Sequence, residues 1–395
     1  MTAARERTPV AAPAPLFTRE FLLLMATGVT YSFGTGALNA LLPPYVVEEL
    51  GGTEATAGFV MGSMAVTALL SRTVLGRVSD RRGARRLVGA GAGVAALAFL
   101  LLAAFPSVPG AVIARLVMGA GNAAFFIGTA VRAMELAPPD RRSQAAAFNL
   151  IAFHAGMGLG PTMGEQVLAR TSYTATWFVL GGLVIAASLM SWGLSRRGGD
   201  PDAEKLPRLH RAAVGPGLVS LFGVFAFNGF LTFAALYSGE LGLDNVGPVF
   251  MVSSGTMVVV RFLFGRVPDV VGPIRAGSAA LVVTVFAALL LAFWEAPAGL
   301  YVGAVMVALG LSLQSPSFMV IAVDGVSDRE RGAAMATYTA FFDIANAMIG
   351  PTLGLVIASS GYRAAWLLAA AAACVGLAVL QLVVAPRWRA SLGIG

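Results

Sequence analysis

Twelve apolar runs, each about as long as a bilayer is thick, dominate this sequence. A helix crosses the hydrocarbon core with about 20 apolar residues, and in lipid a helix satisfies its own backbone. Charged residues make up only 12% of the chain against about 25% in soluble domains, so an all-α integral membrane protein is predicted. The runs cover approximately 21–44, 54–75, 87–105, 109–134, 145–168, 173–195, 214–238, 246–264, 276–294, 298–323, 333–358 and 363–385.

A repeat divides these runs into two sets of six. The pattern Arg-x-x-x-Gly-Arg-Val-x-Asp-x-x-Gly occurs at 72–83 and returns 189 residues later at 261–272. Two further echoes, Glu-Leu-Gly and Gly-Pro-Thr-x-Gly, return after 191 and 190 residues. Twelve helices in two pseudo-symmetric six-helix bundles, with a site between them, are typical of an alternating-access transporter. We predict a disordered tail at 1–18, bundles at 19–195 and 213–386, a cytoplasmic linker at 196–212 and a second tail at 387–395.

The distribution of charge predicts the orientation. The chain has 27 Lys and Arg residues, and most lie in alternate short segments: 76–86, 137–144, 196–211, 265–275 and 324–332. The opposite loops are mainly acidic. Positively charged loops stay in the cytoplasm, so both termini are expected to be cytoplasmic and the protein is expected to span the cell (inner or plasma) membrane several times.

Several other classes of protein are excluded by the same sequence. Basic residues between apolar runs do not form the basic face of a nucleic-acid binder, so no nucleic-acid partner is predicted. The chain has two His residues, one Cys (Cys374) and no nucleotide-binding loop. We therefore predict no enzyme activity, no cofactor and no metal site, and the expected partners are a small-molecule substrate, protons and the lipid bilayer around a monomer.

Three motifs resemble those of the major facilitator superfamily. The segment 76–85, Gly-Arg-Val-Ser-Asp-Arg-Arg-Gly-Ala-Arg, is similar to the signature loop between the second and third helices. The fourth run, with Arg115 and two following glycines, resembles a second motif. Gly156, Gly160, Pro161 and Gly164 resemble the helix 5 motif of the drug:proton antiporters, which often ends in Gly-Gly where this chain has Glu165.

The resemblance implies a gating role for the loop between the second and third runs. Asp80 would face the start of the eleventh run and help to close the cytoplasmic side, and Asp269 in the repeat would face the start of the fifth. The alternative is that each carboxylate only supports a turn. The predicted gating residues are Gly76, Asp80, Arg81, Gly83, Arg85 and Asp269.

Four ionisable residues lie deep within the runs, where charge is costly and usually faces a cavity or a partner. Desolvation favours the neutral form of a carboxylate, so Asp343 is the predicted proton-coupling site, with His154 one residue away from its symmetry position. For Arg115 and Glu165 two interpretations stay open: they form an ion pair, or Glu165 reaches the outer interface. Uncharged candidates for the cavity are Tyr31, Asn39, Asn122, Asn228, Gln314, Tyr338 and Asn346.

The function predicted from these features is secondary active transport by alternating access. The resemblance to drug:proton antiporters favours proton-coupled efflux of a small organic compound, drug-like or a secondary metabolite, as in multidrug resistance. A proton-coupled importer is the first alternative. An exporter of a metal-chelating metabolite is the second, with His154 and Arg115 binding an anionic ligand.

Overall fold

The computed structural model describes residues 15–138, 141–195, 210–324, 326–327 and 330–391. Within helix α2 the side chains of residues 72–73, 76–77 and 79–82 fall outside this description, as does that of residue 143. In the described part of the chain, every regular element is helical. The all-α prediction is therefore confirmed.

The first half of the molecule consists of six helices in an up-and-down order. Ser or Thr side chains cap the N-termini of three of them, where an otherwise unbonded backbone N–H needs an acceptor. The helices are α1 (Arg19–Pro44), α2 (Glu54–Arg82), α3 (Ala84–Ala104), α4 (Val108–Leu136), α5 (Arg142–Leu168) and α6 (Tyr173–Met190).

The second half repeats this arrangement with more interruptions. Its first crossing is broken at Val224, and its last two crossings form one long helix that turns at Gly361. The helices are α7 (Arg211–Gly223), α8 (Phe225–Glu240), α9 (Gly247–Phe264), α10 (Val267–Val271), α11 (Pro273–Phe293), α12 (Pro297–Val323), α13 (Arg331–Val379) and α14 (Ala385–Ser391).

Ten helical segments of the described chain are long and apolar enough to cross a membrane. The last of them, Arg331–Ala390, contains two crossings because it turns at Gly361. Helix α5 is not among the ten, since His154, Glu165 and its many glycines lower its hydropathy, but it packs alongside α1. Six crossings before residue 196 and six after residue 209 give the predicted twelve-helix fold.

The repeated sequence forms a repeated backbone. Gly83, before α3, has φ 82° and ψ 145°, and Gly272, before α11, has φ 86° and ψ 145°. Side chains with a Cβ are strongly disfavoured in this conformation. The predicted twofold relation therefore extends to the conformation of the turn that ends the signature loop.

Each half has its own core of aromatic and small residues. In the first half Tyr31, Phe99 and Trp177 are fully buried, and in the second half Phe230 and Trp366 take comparable places. The glycines at 156, 160 and 164 bring α5 against the backbone of α1, as small residues do between membrane helices. The segment predicted as a tail from residue 387 begins inside α14, whose Trp388 donates a hydrogen bond to Asp324.

Candidate functional site

The two halves meet most closely along α2 and α13. A Cβ on Gly58 would overlap the carbonyl oxygen of Gly350, and Gly62 lies against Ala347 and Pro351 in the same way. These residues lie near the start of α2, at the end of the molecule that carries Glu54, Glu240 and Glu295, which we call the acidic end. The opposite end, where α2 meets α3 at Gly83, is the arginine end. The backbones are therefore in direct contact at the acidic end.

Helices α5 and α9 form the second contact between the halves. Gly158 of α5 lies against the side chain of Ser254, and Gly247 at the start of α9 lies against Thr162. Helices α1 and α8 also touch, and Ala40 packs within the core of the second half. The closest described contacts between the halves thus lie from the middle of the bundle to its acidic end.

Glu165 joins the halves at this end. Its carboxylate accepts hydrogen bonds from the backbone N–H groups of Val246 (2.7 Å) and Gly247 (3.0 Å), at the N-terminus of α9. A carboxylate is stabilised at a helix N-terminus by the helix dipole, and we call this arrangement the Glu165 latch. A Cβ on Gly247 would lie 2.7 Å from Oε2 of Glu165, so glycine permits the close approach.

Arg115 is bonded inside the first half. Its guanidinium donates to Oδ1 of Asn39 (3.1 Å) in α1 and to the carbonyl oxygen of Met61 (3.2 Å) in α2, and the side chain is 4% exposed. The ion pair with Glu165 that the sequence left open is not formed in this structure, because each group is bonded elsewhere. The interpretation that Glu165 reaches the outer interface fits the geometry.

Asp343 and His154 lie at equivalent places in the two contacts between the halves. They are 189 residues apart, the same offset as the two copies of the signature pattern, and each lies towards the arginine end from the closest contact. Asp343 is buried on α13. His154 is half-buried, and its Nδ1 donates a hydrogen bond to the carbonyl oxygen of Leu150 (2.7 Å), which leaves Nε2 for another partner.

The uncharged candidates are held in pairs within each half. In the first, Tyr31 donates to Asn122 (3.2 Å). In the second, Asn228 of α8 donates to Asn346 of α13 (2.8 Å). Two more bonds tie helices of the second half: Gln314 donates to Thr284 (2.6 Å) and Tyr338 donates to Ser220 (3.4 Å).

Comparison with known proteins identifies the family. The family model described as Major Facilitator Superfamily matches residues 24–347 and 278–392, which is most of the chain. The chain belongs to the major facilitator superfamily. An uncharacterised MFS-type transporter of Salmonella typhimurium is 30% identical over 358 residues, covering 87% of this chain and 91% of that protein. One of Burkholderia mallei is 28% identical, covering 93% of each.

Solved structures of the superfamily have the same fold. The human organic anion transporter MFSD10 superposes with a TM-score of 0.70 at 18% identity, over 93% of this chain and all of that one. The nucleoside transporter NupG superposes with a TM-score of 0.75 at 13% identity, over 92% and 99%. The chain is thus a multi-pass membrane protein with the fold of a transporter, and the resemblance seen in its motifs is confirmed at the level of the superfamily.

The gating residues of this superfamily member are only partly described. Gly76, Asp80 and Arg81 lie in α2, but their side chains are outside the described residues. Arg85 donates to the carbonyl oxygens of Ser191 (3.2 Å) and Trp192 (2.8 Å), so it ties α3 to the end of α6 within the first half. Asp269 was expected to face the start of α5. It is exposed on α10, and no hydrogen bond or ion pair joins it to a described residue.

Sequence reasoning missed two buried arginines. Arg132 of α4 forms ion pairs with Glu20 and Glu135 and donates to Ser195, which closes the arginine end of the first half. Arg261 of α9 is half-buried on the helix that faces His154. The signal for Arg261 was present, since it opens the second copy of the pattern, but its charge was assigned to a cytoplasmic hinge.

Proposed function

We propose that this superfamily member is a proton-coupled exporter of small organic compounds that works by alternating access. One observation carries the proposal. The halves are closed on each other at the acidic end, and the ionisable pair Asp343 and His154 lies towards the arginine end from that closure, on two of the helices that form it. Such a pair is placed to change its exposure when the closure moves from one end to the other.

In the proposed cycle the halves, residues 19–195 and 213–386, move as units. Opening the acidic end separates α2 from α13 and α5 from α9, and breaks the Glu165 latch. The arginine end closes at the same time, and the superfamily signature loop at 76–85 takes part. Broad contact between helices that slide as rigid bodies permits this rocking motion.

Asp343 is proposed as the coupling residue. Burial favours the protonated, neutral carboxyl group, whereas exposure to water at neutral pH favours the carboxylate. When the acidic end opens, Asp343 takes a proton from outside. When the arginine end opens, it releases that proton to the cytoplasm, and His154 at the equivalent position of α5 can share it through Nε2. Substrate moves outwards in the opposite exchange.

The orientation of this cycle depends on the arginine end being cytoplasmic, in the cell membrane, as the charge pattern predicts. With Cys374 replaced, single cysteines at Thr2, Glu204 and Glu54 are treated with an impermeant thiol reagent on intact cells. We expect labelling only at Glu54, which begins α2 at the acidic end. Labelling at Thr2 or Glu204 with none at Glu54 would reverse the orientation.

The proposed function is tested in liposomes that contain the purified protein and a trapped pH indicator. Cationic dyes, neutral drugs and organic acids are added one at a time to liposomes that hold a pH gradient. For transported compounds we expect proton movement in one direction and compound movement in the other, with neither in Asp343→Asn. Movement of compound and proton in the same direction would identify an importer, and movement without any proton flux would remove the coupling.

A further inference from the structure

Arg261 has an unusual environment for a charge in a membrane protein. It is half-buried in the last turn of α9, its Nε is fully enclosed, and no hydrogen bond or ion pair joins it to any residue in the described ranges. A guanidinium cannot lose its proton at neutral pH, and burying it without a partner is costly. An anion at this place would therefore stabilise the protein.

The position of Arg261 relates it to His154. Gly158 and Ser254 mark the level where α5 and α9 touch. From that level Arg261 lies two turns towards the arginine end along α9, and His154 lies one turn in the same direction along α5. Both therefore lie on the facing stripes of two antiparallel helices, and the Arg261 charge acts on the imidazole.

Both side chains offer donors to one ligand. The Nδ1 of His154 is used by Leu150, which fixes the ring and leaves Nε2. The Arg261 guanidinium is a planar fork that matches the two oxygens of a carboxylate. Both residues are half-buried whereas the contacts at Gly158 and Gly247 are tight, so the gap between α5 and α9 widens at their level.

The other deep arginines do not share this property. Arg115 is bonded to Asn39 and Met61, and Arg132 is bonded to Glu20 and Glu135. Each thus stabilises the first half and is saturated. Arg261 is left as the deep arginine of the described chain that has donors to spare.

We propose that Arg261 and His154 form a binding site for a carboxylate group, so that the compounds carried by this protein are small organic acids. This inference rests on the proposed transport function and names its substrate class. The site lies on α5 and α9, helices that separate when the acidic end opens. A bound acid would accordingly meet Arg261 in the state described here and leave as the interface rearranges.

The test uses matched acids and amides on purified protein in nanodiscs of phosphatidylcholine alone. Isothermal titration compares 2-naphthoate, benzoate and phenylacetate with their amides. We expect at least one acid to bind about tenfold more tightly than its amide, since hydrogen bonds to a charged group are the stronger ones. Arg261→Gln should remove this preference and Arg261→Lys should keep part of it. Arg170→Gln, which changes an exposed arginine at the acidic end, is the control and should bind like the wild type.

Several results would overturn the site. Equal binding of acids and amides, no binding of any acid, or an unchanged preference in Arg261→Gln would each do so. Nanodiscs that include phosphatidylglycerol test the other source of an anion, and thermal stabilisation by that lipid which depends on Arg261, without acid binding, would assign the arginine to a lipid head group.

Failure of the site and failure of transport give different results. Acid binding through Arg261 without gradient-driven movement in liposomes supports the site and contradicts the exporter. Coupled export of neutral or cationic compounds that Arg261→Gln leaves unchanged contradicts the site and supports the exporter.

Discussion

The two contacts between the halves, α2 with α13 and α5 with α9, occupy equivalent places but differ in chemistry. In α2–α13 backbone meets backbone at Gly58 and Gly350, whereas in α5–α9 the backbone of Gly158 meets the side chain of Ser254. At the equivalent positions one pair of helices carries the carboxylate of Asp343 and the other an imidazole that faces a guanidinium.

The acidic end differs in the same way. Glu165, which caps α9, is followed at its equivalent position in α13 by Leu355, an exposed apolar residue. The duplication therefore supplies the scaffold and the twofold closure, and substitutions after it supply the asymmetry. We infer that α2–α13 carries the proton chemistry and α5–α9 the substrate chemistry, and the following changes separate the two.

The largest effect is expected from Asp343→Asn compared with His154→Gln. The amide cannot bind and release a proton, so uptake driven by a pH gradient should fall to the level of empty liposomes while counterflow exchange of substrate persists. His154→Gln should weaken substrate binding and leave gradient-driven proton movement measurable. Both rates are followed in the same liposomes. Wild-type pH dependence in Asp343→Asn would assign the residue to packing or ligand binding.

The next effect concerns the tight contacts. Gly58→Ala places a methyl group against a backbone carbonyl, and overpacking of this kind costs about 1–3 kcal/mol. The closed state should lose population by about tenfold. Gly158→Ala meets the Ser254 side chain instead, so Ser254→Gly should rescue it.

Spin labels on Glu48 and Asp244, two exposed residues at the acidic end, measure this closure. The label distance should lengthen in Gly58→Ala and in Gly158→Ala, and return in Gly158→Ala with Ser254→Gly. An unchanged distance in Gly58→Ala would show that α2 and α13 do not set the closure.

How much of this was readable from the sequence differs between the fold and the site. Apolar length predicted α1 as 21–44, and it runs from Arg19 to Pro44. The run that ends at 75 continues as helix to Arg82, because arginine and aspartate at a membrane surface are compatible with a helix. The twofold repeat was visible because duplicated turns keep glycines where φ is positive.

The site was harder to predict because depth along a helix does not say which neighbour a residue faces. Arg115 and Arg261 both lie within apolar runs. Only the packing of α1 and α2 around Arg115 shows that it is bonded within one half. The partners of Glu165 are backbone groups of another helix, which no spacing in the sequence encodes.

The Glu165 latch is expected to have a moderate effect. Glu165→Gln keeps the shape and one acceptor oxygen but removes the charge at the N-terminus of α9, where a carboxylate contributes about 1 kcal/mol. The closed acidic end should lose roughly fivefold in population by the same spin-label distance. Leu355→Gln, at the equivalent exposed position, is the matched control and should change nothing. Equal behaviour of the two variants would show that the latch carries no weight.

The smallest effect is expected at Asp269, in the second copy of the signature pattern. Its carboxylate is exposed on the short helix α10 and bonds to no described residue, and exposed charges contribute little. Asp269→Asn should therefore change transport by no more than about twofold. Asp80→Asn, its counterpart in the signature loop, is expected to cut transport with expression intact, as the resemblance to the superfamily implies. Similar rates in the two variants, measured in the liposome assay with equal protein, would mean that both copies of the loop gate or that neither does.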